Sequence, residues 1–408
     1  MIGDMPMNHE SRSQVSPHGR EVTELSRRRF LGLAGVGGIT LLTPRLVHAQ
    51  ASTGQPSRPH IKPTPAEQFI NHGLNQEMRW EQMYGRGYLT PTAQFFIRNH
   101  TPTPNLDVHT WRLSVEGPGI ERPLTLTYDE LLRMPTRSVI CYVECAGNGR
   151  GFYKEVQDKP AKGTPWRLGA YGIAEWTGVP LGEVLRRAGL KQSAVDVMPT
   201  GLDLRRIERP MSVAKALEED TLLAYAMNGD ILPPDHGFPL RAIVPGWVGI
   251  ANIKWVGRIF VSESPIFVEK NTTDYVLIGP DFSERPPAKG PILTLQTVKS
   301  AITLPWPATL TAGAQLIRGF AWSPYGKITR VEYSLDGGAR WRQATLREPN
   351  LARAGVRWDF AWEATPGEYT IMTRATDEQG HSQPDSVPWN ELGYEYWAVV
   401  RHPVKVTA

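Results

Sequence analysis

The stretch SVICYVECAGNGR, residues 138–150, passes from an apolar, β-prone run straight into a loop of small residues. Val139, Ile140, Tyr142 and Val143 carry the branched and aromatic side chains that suit a pleated, buried strand. Ala146-Gly147-Asn148-Gly149 then forms a loop whose backbone can come close to a ligand, because no large side chain stands in the way. Both cysteines of the 408-residue chain lie here, Cys141 inside the strand and Cys145 at its end. Four residues of extended chain put their Cα atoms about 13 Å apart. A disulfide requires roughly 4.4–6.8 Å, so the two are not expected to bridge. Cys141 reads as a core residue. Cys145, close to Arg150, has two readings on the residues alone: a buried cysteine at a tight turn, or a thiolate serving as soft-metal ligand or nucleophile.

Two cysteines exclude a disulfide-stapled scaffold, a multi-cysteine zinc site and a cysteine-ligated iron–sulfur cluster. No Cys-x-x-Cys-His is present, so no c-type haem attaches here. Lys and Arg number 45 against 41 Asp and Glu. That near-balance, with no clustered basic stripe, gives no basis for nucleic-acid binding.

The N-terminus reads as an address. Ser26-Arg27-Arg28-Arg29-Phe30-Leu31 matches a twin-arginine export signal, followed by a short uncharged stretch and Val47-His48-Ala49 as a small-residue cleavage site. The apolar part is about 14 residues, and a membrane span needs roughly 20. Residues 1–49 are therefore expected to be a leader, with the periplasm as destination and no membrane span.

The rest divides in two. Residues 50–66 are rich in Pro, Ser and Thr, so 50–85 is expected to be a linker or arm, partly helical over 67–85. Residues 86–280 mix elements. AQFFIRNH (93–100) and WRLSVEG (111–117) read as strands. TYDELLRM (127–134), PLGEVLRRAGL (180–190) and SVAKALEEDTLLAYAMNG (212–229) read as helices, the last stopping at Asn-Gly. Residues 281–408 follow a Pro-rich joint and carry short strands at regular spacing, with Asp336-Gly337-Gly338 as a hairpin turn. The expectation is an α+β chain: a mixed α/β domain, then an all-β immunoglobulin-like sandwich without a disulfide.

Further candidates fall in the first of these domains. Arg98 and His100 stand two apart in FFIRNH, on one face of an extended segment. His236 and Arg241 bracket a Pro/Gly loop in DHGFPLR, and Lys254 sits beside Trp255 in ANIKW. Taken singly, each cation is equally an ordinary ion-pair residue. Together they could supply the donors that an anionic cofactor requires.

The motifs CAGNGR, FFIRNH, DHGFPLRAIVPGWVG and IKWVGR, in this order, resemble the sulfite oxidase family of molybdopterin enzymes. GFAWSPYGKITRVEYSLDGGARW (319–341) is similar to that family's immunoglobulin-like dimerisation domain, so the resemblance spans about residues 86–408. It implies that Cys145 binds molybdenum, with the pterin dithiolene and oxo groups as the other ligands. It implies that Ile97, Arg98, Asn99 and His100 embrace the cofactor, with Arg98 also facing the substrate. Asp203 is implied as a pterin-binding acid, His236 and Arg241 as holding the phosphate end, and Asn252 and Lys254 as a further cofactor-binding strand. Tyr275 matches the active-site tyrosine, Trp166 an aromatic wall of the substrate pocket, and Arg150 the second arginine of Cys-Ala-Gly-Asn-Arg-Arg.

Two positions depart from the family pattern. Gly149 stands where the first arginine is expected, and Trp389-Asn390-Glu391-Leu392-Gly393 lacks the arginine of Trp-Asn-Leu-Arg-Gly. ECAGNGR, RWEQMYGRGYLTP and PGWVGIANIKW look especially like the sulfane dehydrogenase branch of the family, which serves bacterial Sox thiosulfate oxidation. The implied activity is thus sulfite oxidation at molybdenum, or oxidation of carrier-bound sulfur. A homodimer, or a complex with a cytochrome subunit, is implied too. With no haem in the chain, electrons would leave to an external c-type cytochrome. Reductases of the wider family, and a cofactor-free binding module using the sandwich, are the remaining alternatives.

Overall fold

A computed structural model describes residues 59–408. The expected leader, residues 1–49, lies outside the described residues. No helix among the described residues is long and apolar enough to cross a membrane.

The segment expected to be partly helical is a hairpin instead. β1 (Phe69–His72) pairs antiparallel with β2 (Asn75–Met78) around Gly73, whose φ of 72° suits the turn, and a single 3-10 turn, Trp80–Met83, follows. Phe69, Met78, Trp80 and Met83 are buried, so this stretch is part of the core and not a linker. FFIRNH is not a strand either. It runs irregularly, meeting the hairpin where Ile97 and Gln76 exchange backbone hydrogen bonds of 2.9 Å and where Asn99 N–H donates to Asn75 Oδ1 at 3.0 Å.

Two sheets follow. One has the order β10-β9-β6-β5, with β11 also on β9. Its strands are β5 (Arg137–Glu144), β6 (Tyr171–Pro180), β9 (Leu222–Met227), β10 (Asp230–Ile231) and β11 (Arg241–Ile243). The other has the order β4-β3-β12-β7-β8, from β3 (Arg112–Glu116), β4 (Leu124–Thr127), β7 (Asp196–Gly201), β8 (Met211–Ser212) and β12 (Val256–Ser262). The last expected helix, 212–229, exists only as Val213–Ala216. Leu222–Met227, largely buried, becomes β9, and Asn228-Gly229 turns a hairpin. Helices among the described residues are short. Tyr128–Leu132 is held by a capping box in which Thr127 and Glu130 satisfy each other's backbone N–H. Arg150–Gln157, eight residues, is the longest.

From residue 299 the chain is all β. β13 (Lys299–Ile302), β15 (Gly313–Trp322), β19 (Gly355–Ala364) and β18 (Thr345–Leu351) form one sheet. β14 (Ala308–Thr311), β21 (Arg401–Thr407), β20 (Gly367–Asp377), β16 (Ile328–Ser334) and β17 (Arg342–Gln343) form the other. Val331, Val356, Trp358, Ile371 and Val404 fill the space between them. The halves also share a core, in which Trp80 and Tyr171 of the first pack on Phe320 and Trp322 of the second.

At that joint Glu144 is fully buried. It accepts from Lys299 Nζ at 2.7 Å, Trp322 Nε1 at 2.9 Å and Asn148 Nδ2 at 2.9 Å. It is the residue before Cys145, so the sandwich braces the strand end that presents the thiol. The segment between β20 and β21 stays on the sandwich as far as Gln383 and then reaches the other half. Its Asn390 and Tyr394 hydrogen-bond Tyr153 on the helix after Cys145, which blurs a boundary drawn at residue 281.

Candidate active site

β5 ends at Glu144 and delivers Cys145 into a bend closed by Asn148 N–H to Cys145 O at 2.9 Å. Both cysteines are free and buried, and Cys141 sits wholly within the sheet, where burial raises its thiol above the ordinary range. A Cβ on Gly249 would fall 2.5 Å from Glu144 O and 3.1 Å from Cys145 Cα. Only glycine lets the 244–252 loop come this close.

Cys145 lies where two hollows meet. The inner one is lined by Arg98, Asn99, His100, Asp203, Asp235, His236, Arg241, Asn252, Lys254 and Tyr275, and the outer one by Arg150, Thr164, Trp166, Leu392 and Tyr394. Arg98, Cys145 and Tyr275 belong to both. All the sequence-derived site residues except Ile97 therefore line one or the other. Ile97 is buried, and its backbone is committed to Gln76.

At the junction, Arg98 Nη2 lies 2.9 Å from His100 Nε2 and 3.4 Å from Tyr275 Oη, and Tyr275 Oη is 3.3 Å from His100 Nε2. Burial first, and Arg98 second, bring His100 down to about 2, so its ring is neutral at any working pH. A guanidinium only donates, so Nε2 accepts and the ring proton sits on Nδ1. Burial raises the Tyr275 phenol, which stays protonated and can donate. Tyr275 and Trp255, both lining the inner hollow, have φ of 54° and 56°. That left-handed backbone is costly for bulky residues and is typically kept where function fixes it.

The inner hollow gathers cations. Lys254 donates to Asp235 O at 2.8 Å and to Asn99 Oδ1. Burial, then Arg241, pull its amine well below the ordinary lysine range. Burial brings Arg241 down to about 9, and its buried Nε has no hydrogen-bond partner. Burial and the cations Lys62, Arg241 and Lys254 keep His236 neutral. Asp203 accepts from Ile207 N–H at 3.0 Å and Thr101 Oγ1 at 3.2 Å. Asn252 accepts from Val244 N–H at 2.8 Å. Desolvated cations with an orphaned donor are what a bound anion would repair.

In the outer hollow, Arg150 donates through Nε to Leu392 O at 2.8 Å and through Nη1 to Thr164 O at 2.7 Å. Its Cζ stands 5.3 Å from the Tyr394 ring centre, and a Cβ on Gly147, Gly163 or Gly393 would strike it. Trp166 is a buried wall, edge-on to His72 and Phe96. Gly149 has φ 93°, and a Cβ there would meet Tyr396 at 3.0 Å. An arginine at that position would need both another backbone shape and a moved tyrosine.

Sequence reasoning missed Asp235, Lys62 and Tyr394 as functional residues, whereas Leu392 was noted as the place of a missing arginine. Asp235 adjoins His236 and was the findable one. Tyr394, stacked on Tyr275 with ring centres 5.1 Å apart, arrives from the far end of the chain, where local pattern says nothing.

No cluster of three or more His, Cys, Asp or Glu able to hold a metal exists among the described residues. A metal here would be held by one protein thiolate and by ligands from elsewhere. Comparison with known proteins agrees. Residues 100–268 match the oxidoreductase molybdopterin binding domain, and residues 291–407 the Mo-co oxidoreductase dimerisation domain. Sulfite oxidase of Gallus gallus is 38% identical over 335 residues, covering 76% of this chain and 72% of that protein. The chain belongs to the sulfite oxidase family. It is a molybdopterin-binding oxidoreductase, and the donor set just described fits that cofactor. Mitochondrial sulfite oxidase of Mus musculus is 37% identical over 333 residues, and this chain spans 60% of its length. Among solved structures, the sulfane dehydrogenase SoxCD from Paracoccus pantotrophus superposes with a TM-score of 0.73 at 28% identity, covering 82% of this chain and 87% of that one.

Proposed function

We propose that this enzyme oxidises sulfite, or a related sulfur oxyanion, to the sulfate level in the periplasm after twin-arginine export, passing its electrons to an external c-type cytochrome. The observation that carries the reading is the position of Cys145, between a cationic inner hollow and an outer hollow flanked by arginines. Bound there, a molybdenum–pterin group would supply oxygen-atom transfer and take up two electrons. Cys145 would hold the metal. Arg241, Lys254 and His236 would hold the anionic end, with Asn99, Asp203 and Asn252 along the pterin.

The chain's own part is binding and orientation. Arg98 and Arg150 attract the oxyanion into a water-poor pocket, where their charge acts more strongly than in bulk water. Tyr275 donates a hydrogen bond toward the reacting centre. Neutral His100 fixes Arg98 by accepting from it, and Arg98 in turn donates to Tyr275 Oη, which leaves the phenol proton for the reacting centre. Trp166 walls the pocket and limits what enters. The sandwich is read as immunoglobulin-like, and as the surface for pairing with a second copy or a cytochrome subunit.

A second reading, oxidation of carrier-bound sulfane sulfur, is favoured by one observation. Leu392 lines the outer hollow where the family pattern carries an arginine, and it offers no charge, so the pocket is less cationic. Steady-state assays with c-type cytochrome separate the two. Free sulfite should support turnover under the first reading. Activity only with thiosulfate and a carrier protein would replace it with the second.

A further inference from the structure

The described chain begins with a proline-punctuated strap, PHIKPTPA, residues 59–66. Prolines 59, 63 and 65 have no N–H to donate. The two amides at its centre go to one carboxylate. Ile61 N–H lies 2.9 Å from both oxygens of Asp235, and Lys62 N–H 2.6 Å from Oδ2. Asp235 is buried, precedes His236 and faces the inner hollow. Thr103 donates its hydroxyl to Asp235 at 2.6 Å and its N–H to Pro59 O at 3.0 Å. Asn99 Nδ2 donates to the same hydroxyl oxygen at 3.0 Å. Strap and cavity wall are one polar network.

Lys62 reaches further in. Its Nζ donates to the carbonyls of Thr92, at 3.2 Å, and Phe95, and lies 3.2 Å from His236 Nε2. Burial brings the Lys62 amine down to about 7; in its charged form it only donates, so Nε2 of His236 then accepts and the ring proton is held on Nδ1. The far end of the strap is held by Gln68 and Phe69 N–H to Pro65 O and by Arg79 Nε to Ala66 O at 2.6 Å. None of residues 59–66 is buried, and Ile61 is 53% exposed. A segment without buried apolar contacts opens far more easily than the whole protein unfolds. Its prolines reduce the entropy lost when it settles back.

We propose that residues 59–66 are a latch on the cofactor cavity and that Lys62 is its positioning residue. The strap lifts to admit the anionic end of the pterin, closes when the Ile61 and Lys62 amides engage Asp235, and sets the His236 tautomer that this end meets. The inference rests on the reading that the His236–Arg241 end receives that anionic group.

Two measurements on the full chain test it. Hydrogen–deuterium exchange compares loaded and cofactor-free protein over the peptide containing Ile61 and Lys62. The latch requires about tenfold slower exchange in the loaded form, with the sandwich strand Gly355–Ala364 unchanged. Molybdenum per chain is followed with time after dilution for the parent, Lys62→Met and Lys62→Arg. Lys62→Met should lose metal about tenfold faster, and Lys62→Arg, which keeps a donor, should stay within about threefold of the parent. Equal loss from parent and Lys62→Met, or equal exchange in both forms, overturns the latch. Where Lys62→Met does not fold, exchange on the parent decides. A parent that never takes up molybdenum sinks the underlying reading, a result distinct from equal retention.

Discussion

At the scale of single residues, the site depends on backbone shapes that only certain side chains tolerate. Gly149 caps the helix after Cys145 with φ 93°. Gly149→Ala should cost about 2 kcal/mol, from left-handed strain plus the contact with Tyr396, read as a lower denaturant midpoint. Arg98, His100 and Tyr275 form a triangle whose contacts are all 3.4 Å or less. Tyr275→Phe keeps the ring stacked on Tyr394 and removes only the donor. Turnover at saturating substrate should fall by about tenfold to a hundredfold, with the thermal midpoint nearly unchanged. Most of this site was legible before the fold was known, because Cys145, Arg98 and His236 sit in short motifs. Lys62 and Tyr394 were not, because their roles come from contacts with His236 and Tyr275, each more than 100 residues away.

At the scale of elements, β5 is the part on which the site hangs. Its last residue, Glu144, is fully buried and paired with Lys299 of β13. Lys299→Met leaves that carboxylate without its cation and should destabilise by roughly 3–5 kcal/mol. Adding Glu144→Gln should recover much of the loss, which a chemical-denaturation double-mutant cycle would show. β21 supplies a pH-dependent term. Its His402 is buried against Trp306, hydrogen-bonds Pro305 O at 2.8 Å, and is brought by burial from 6.5 down to about 4. The unfolded chain takes up the proton first, so the stability is fully present above pH 6.5 and is lost as pH falls toward 4. Its size is roughly 3 kcal/mol. His402→Gln should flatten the fall in melting temperature over that range relative to the parent. The strands of the sandwich, with their period-two pattern and Asp-Gly-Gly turn, were readable. The β1–β2 hairpin and β9 were misread as helical. In β2 and β9 successive side chains are buried, which erases the alternation that marks a half-exposed strand.

At the scale of the whole molecule, the two halves are not independent. The catalytic half presents Cys145 from a strand braced by Lys299 and Trp322 of the sandwich half. The segment between the last two sandwich strands returns to place Leu392 and Tyr394 in the outer hollow. The sequence pattern placed a change of composition near residue 281, but it could not show that the second half completes the site of the first. The central claim is that the cationic inner hollow and Cys145 together hold a molybdenum–pterin group. The most direct measurement is metal analysis of the purified full chain beside Cys145→Ser. The account predicts about one molybdenum per parent chain, and a Cys145→Ser protein that remains folded but has lost turnover. A parent chain without molybdenum, or a Cys145→Ser variant with undiminished turnover, would contradict it.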